Sequence, residues 1–140
     1  MQDFMQFISN HPALSLATGV IFVLLMIIEL LRARRNVFNV SPTQATQLIN
    51  HENAVIIDIR PNESFRKGHI IDAVSMSAKD LRDDSKKREK FRLRPIIIAD
   101  PAGLESQKLA SILLKQGYNA YSLSGGMRAW IEAQMPIVKD

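Results

Sequence analysis

Residues 95–106 read PIIIADPAGLES: an apolar run Pro95-Ile96-Ile97-Ile98-Ala99, a turn Asp100-Pro101-Ala102-Gly103, then Leu104-Glu105-Ser106. The run is too short for a helix and rich in β-branched residues, which predicts a strand buried on both faces. From Leu104 to Gln116 the apolar residues fall at 109, 110, 112, 113 and 114, and Gly117 follows. That is a helix facing a core and closed by a glycine. A buried strand entering a helix through a short loop is the repeating unit of an open α/β sheet. Function in such sheets gathers at the carboxyl ends of the strands. The loop 100–106 therefore leads the candidates, because N–H groups at a helix start form an anion cradle.

Working outward, Ala54-Val55-Ile56-Ile57-Asp58 is a second buried strand and Asn119 to Leu123 a weaker third. Val37 to Val40 reads as a short first strand. Ser41-Pro42-Thr43-Gln44 carries a hydroxyl N-cap, a proline at the first helical position and a Gln that closes a capping box. Trp130 anchors a last short helix, Gly126 to Ala133, which stops before Pro136. Strands alternating with helices predict an α/β fold with a parallel sheet covered on both faces.

At the other end of the chain, Ala13 to Leu31 reads ALSLATGVIFVLLMIIELL. Such a helix is about 28 Å long, close to the hydrocarbon thickness of a bilayer. It shows no polar face, which disfavours a core helix. No cation precedes it and its exit lacks small residues, so a cleaved leader is disfavoured. Arg32, Arg34 and Arg35 all follow the span. The positive-inside rule then puts residues 1–12 outside and everything after Arg35 in the cytoplasm. The expected organisation is an extracytoplasmic 1–12, a transmembrane helix 13–31, a basic linker 32–37 and a domain 38–138.

The 140 residues include no cysteine. That excludes disulfides, thiolate metal sites, iron–sulfur clusters and a cysteine nucleophile. A net charge of +4 is too modest to argue for nucleic acid, and none is expected as a partner. His69 has no second ligand at metal spacing, so no metal or other cofactor is expected.

Ile57-Asp58-Ile59-Arg60, followed by Phe65, Gly68-His69-Ile70 and Ala73, resembles the first signature of rhodanese-like domains. Gly117-Tyr118, Leu123, Gly125-Gly126 and Trp130 resemble their closing signature. With its N-terminal span, the chain is similar to the small membrane-tethered members of that family. The resemblance implies a five-stranded, mostly parallel sheet flanked by helices. It also implies a loop curled around a catalytic cysteine at the end of the fourth strand, where a persulfide is carried. Asp100 holds that position, and a carboxylate cannot carry a persulfide. Glu105 stands where active members often place an arginine, and Pro101 removes one N–H from the cradle. Sulfurtransferase activity is therefore expected to be absent.

Two readings of Asp100 stand: an ordinary cap at a strand-to-helix junction, or an internal anion that fills the cradle. Asp58 and Arg60 read as a structural strand-end pair and His69 as a satisfied imidazole, and with Gly68, Gly125, Gly126 and Trp130 the resemblance makes them the family's structural motif. Between Arg82 and Arg94 seven cations face three acidic residues. They read as a solvated helix face with pairs such as Asp83–Lys87 and Asp84–Arg88, or as a contact for anionic headgroups. The expected function is a catalytically inactive interaction module at the cytoplasmic face of a bacterial inner membrane. It would be anchored in the bilayer by residues 13–31 and would present loop 100–106 to a membrane or cytoplasmic protein. The alternatives are a sulfur carrier working with a cysteine-bearing partner, or an Asp-based hydrolase. The latter would need Mg²⁺ and a second carboxylate at 102, which is Ala.

Overall fold

The computed structural model describes residues 1–36 and 38–140, with side chains described outside 33–37. The side chains of Arg34 and Arg35, two of the three expected membrane-proximal cations, lie outside the described residues. The chain divides into two compact units, Met1–Val37 and Phe38–Asp140.

The first unit holds two helices, α1 (Gln2–Asn10) and α2 (Pro12–Asn36). Within α2, Pro12–Arg32 is long and apolar enough to cross a membrane, and none of it is buried in protein. The helix continues past Leu31, because Arg and Ala favour helix strongly enough to extend it once nucleated. Thr18 returns its hydroxyl to the carbonyl of Leu14 at 2.9 Å, which satisfies it without a partner. Arg32 lies 3.8 Å from Glu29, one turn back. Helix α1 was not anticipated from the sequence.

The second unit runs β1 (Asn39–Val40), α3 (Pro42–Glu52), β2 (Val55–Asp58), α4 (Asn62–Lys67), β3 (Val74–Ser75), α5 (Ala78–Asp83), α6 (Ser85–Glu89), β4 (Ile96–Ala99), α7 (Leu104–Lys115), β5 (Ala120–Leu123) and α8 (Gly126–Glu132). The five strands form one sheet in the order β1-β5-β4-β2-β3, with every neighbouring pair parallel. The most apolar strand, β4, is therefore the central one.

Alternation along β4 divides the core between the two faces of the sheet. Ile96 and Ile98 pack with Val55, Ile57 and the buried side of α7, including Leu109 and Leu113. Ile97 and Ala99 pack on the other face with Ala45, Met127 and Trp130. The Ser41–Gln44 capping box forms: Gln44 N–H donates to Ser41 Oγ at 3.2 Å and Ser41 N–H to Gln44 Oε1 at 2.9 Å. Trp130 is buried, and its indole N–H donates to the Pro136 carbonyl at 3.0 Å. The tail is fastened too, since Val138 and His69 pair as an isolated antiparallel bridge.

Residues 82–94 depart from expectation. A single helix would have set Asp83 against Lys87 and Asp84 against Arg88. Instead the helix breaks at Asp84, whose backbone turns extended and whose carboxylate caps the N-terminus of α6. Lys87 reaches across the break to Asp80 at 2.8 Å. Arg88 donates to the backbone carbonyls of Leu81 and Arg82. Arg92 bonds Glu89 at 2.9 Å and lies over the Tyr118 ring, while Arg94 donates to the Asn53 carbonyl at 2.8 Å. Much of this charge fastens the segment to the domain.

Candidate functional site

Because β4 is central, the loop that follows it lies at the middle of the sheet's carboxyl edge. Asp100 is the first residue past the strand, and only 2% of it is exposed. A buried carboxylate demands donors, and the backbone supplies them. Gly103 N–H donates to Oδ1 at 2.6 Å; Glu105 and Ser106 N–H donate to Oδ2 at 2.9 and 3.1 Å. The Ser106 hydroxyl adds a fourth bond to Oδ1 at 3.2 Å and meets the Ser122 hydroxyl of β5 at 2.7 Å. The N–H groups of Glu105 and Ser106 belong to the first turn of α7, where the helix dipole favours an anion. Asp100 thus caps α7 and, in the same act, occupies the cradle with its own side chain.

A second helix start holds the loop from the other side. Met127 N–H donates to the Asp100 carbonyl at 2.7 Å and Arg128 N–H to that of Pro101 at 3.2 Å. This approach requires glycine at 126. Its φ is +62°, and a Cβ there would lie 2.3 Å from the Asp100 carbonyl oxygen and 2.8 Å from Oδ1. Gly103 is held likewise, with φ +90° and the Gly125 nitrogen 2.9 Å from where a Cβ would stand. The expected loop residues are thus brought together, with Gly103 and Ser106 buried beneath while Pro101, Ala102, Leu104 and Glu105 face out. Leu104 is 75% exposed.

One strand over, Asp58 is paired in register with Ala99. Its buried carboxylate takes Arg60 Nη2 at 2.8 Å and Nε at 3.0 Å, and the same Nη2 also donates to the Gly68 carbonyl at 2.7 Å. The guanidinium locks the turn after β2 and is committed to that task. His69 stacks on Phe65 at 3.8 Å with Nδ1 2.8 Å from the Phe65 carbonyl, a satisfied imidazole. No group of three His, Asp or Glu residues converges among the described residues.

One depression adjoins the loop and another lies at the sheet edge. A groove of about 390 Å³ between α5 and α7 is lined by Ala78, Arg82, Leu104, Glu105, Lys108 and Ile112. A cavity of about 690 Å³ at the β2–β3 edge has Arg60, Asn62, Ser75, Asp80 and Lys87 in its wall and does not include Asp100. At its rim the Lys87 ammonium beside Asp80 holds that carboxyl below its usual value. Ser122 escaped sequence reasoning, because a serine in a strand carries no sign of which neighbour it will face. The β2–β3 cavity escaped for a similar reason, since elements far apart in sequence enclose it.

The sheet order, the loop after the central strand and the two helix starts gripping it define a rhodanese-like domain. Residues 41–133 match that family, and the chain belongs to it. Over 141 residues it is 31% identical to YibN of Escherichia coli strain K12, an uncharacterized protein, covering 99% of both chains. It is 33% identical over 92 residues to the thiosulfate sulfurtransferase GlpE of Coxiella burnetii strain RSA 331, covering 65% of this chain and 84% of GlpE. Among solved structures, a rhodanese-related protein from Thermoplasma volcanium superposes with a TM-score of 0.65 at 22% identity. That match covers 73% of this chain and 98% of the other.

Proposed function

We propose that this protein is a membrane-tethered rhodanese-like domain without sulfurtransferase activity, and that its loop face docks a membrane or cytoplasmic protein. The observation that carries this reading is the Asp100 carboxylate seated on the N–H groups of Gly103, Glu105 and Ser106. The seat for an incoming anion is taken, and the chain has no thiol to receive sulfur. The two carboxylate oxygens share four donors in a buried position, which also disfavours a phosphoryl-accepting aspartate. Outside this filled cradle stand exposed Leu104 and the groove beside Glu105 and Lys108, a mixed apolar and charged surface suited to a protein. The placing is N-terminus out and domain in the cytoplasm, at the inner membrane, from the charge asymmetry around α2.

Two measurements test this. Purified, metal-stripped full-length protein should convert thiosulfate and cyanide to thiocyanate no faster than a boiled control. Affinity capture in mild detergent should then compare wild type with a Leu104→Ala, Glu105→Arg variant, which alters the face and leaves the Asp100 bonds in place. Loss of specific partners supports docking through this face. An unchanged partner set, or turnover above the control, refutes the reading.

A further inference from the structure

Helix α1 presents an apolar side that no described residue of its own unit buries. Phe4 and Ile8 are one turn apart, with Met5 and Phe7 beside them, and all four are exposed at 40% or more. Gln2, Gln6 and Asn10 recur at the same spacing on the opposite side, joined by Asp3 and Ser9. No residue of α1 is buried. The residue that caps it, His11, leaves helical geometry at φ −131° and ψ 63°, and Pro12 then starts α2. The chain therefore changes direction within one residue. At this corner the Phe7 ring lies 5.1 Å from the His11 ring.

Length decides what lies against the apolar side. The 21 residues Pro12–Arg32 extend about 31 Å, the whole hydrocarbon thickness. Once they cross, Pro12 lies at the hydrocarbon boundary and α1 emerges at the interface, where its apolar side is within reach of the acyl chain ends. We propose that α1 is an interfacial helix that lies along the bilayer surface at the end of the span away from the arginines, with Phe4, Met5, Phe7 and Ile8 sunk among the acyl chain ends and Gln2, Gln6 and Asn10 in the headgroups. Its partner is the lipid surface itself. With Asp3 the one charged side chain on α1, attachment is by apolar insertion and needs no anionic lipid. This rests on the membrane reading of α2 made above.

The absence of native cysteine makes the test direct. Full-length protein carrying Phe4→Cys, Ile8→Cys, Gln6→Cys, Asn10→Cys or Val23→Cys is nitroxide-labelled and reconstituted into phosphatidylcholine vesicles, with and without phosphatidylglycerol. Accessibility to oxygen is then compared with accessibility to a water-soluble nickel chelate. Labels at 4 and 8 should favour oxygen several-fold over those at 6 and 10, and less than the label at 23. The pattern should persist without phosphatidylglycerol. Nickel access at 4 and 8 equal to that at 6 and 10, with 23 still in lipid, overturns the interfacial helix alone. Shielding of 4 and 8 from both reagents overturns it in favour of a protein cover, and loss of the pattern in pure phosphatidylcholine overturns attachment by apolar insertion. A nickel-accessible label at 23 overturns the span, and the interfacial helix with it.

Discussion

Asp100 takes four hydrogen bonds from three residues, and removing its carboxylate strands all of those donors. Charge-assisted bonds of this kind contribute about 1.5–3 kcal/mol each in good geometry, and admitted water recovers part of the loss. Asp100→Ala should therefore lower unfolding stability by about 3 kcal/mol in urea denaturation. Asp100→Asn should lose about 2 kcal/mol, since its amide group turns donors toward donors. A change within a few tenths for either would mean that the carboxylate contributes little to the loop. Gly126→Ala sets a Cβ 2.3 Å from the Asp100 carbonyl oxygen at a left-handed φ, and should cost about 3 kcal/mol or more by the same measurement. At Arg60, truncation to Ala leaves the Asp58 carboxylate buried without its cation, for an expected loss of about 3–5 kcal/mol.

The elements were legible in proportion to how local their causes are. The strand at 95–99, the capping box at 41–44 and the helix of 104–116 announce themselves in adjacent residues, and each forms. The segment 82–94 does not, because its course depends on Asp84 preferring to cap α6 over continuing α5, and on distant anchors such as Asn53 and Tyr118. Its charge network carries a pH signature. Lys87 beside Asp80, and Arg92 beside Glu89, hold those carboxyls below their usual values. Such groups stabilise the fold fully above their unfolded values near 4 and lose that contribution as the pH falls through the lowered folded values. Asp80→Asn and Glu89→Gln should therefore melt below wild type at neutral pH and converge with it in the most acidic range. These sites are exposed, so the separation should be small and should shrink with added salt. A gap that widens on acidification would contradict the ion-pair account.

At the scale of the whole molecule, the two units make separate demands. The core of residues 38–140 lies within that unit, so this fragment should fold alone and unfold in one cooperative urea transition. Full-length protein should stay with the membrane pellet after alkaline extraction, while the fragment should partition to the supernatant. A fragment that aggregates, or a full chain released by alkali, would contradict this division. The candidate site was only half visible in sequence at this scale. Asp100 stood out because a thiol is expected there, whereas the serine hydroxyl of β5 and the start of α8 meet it only through the sheet order.

A pocket that waits for a metabolite gains rigidity in step with its supply. Here the stopper is covalently part of the wall. On the docking reading, adding sulfate, phosphate or thiosulfate should leave the melting temperature where it was, and a visitor to this surface would find the same landmark in starved and well-fed cells alike. On that same reading, such a face would report that the protein is present and would carry no news of what the cell has lately been metabolising.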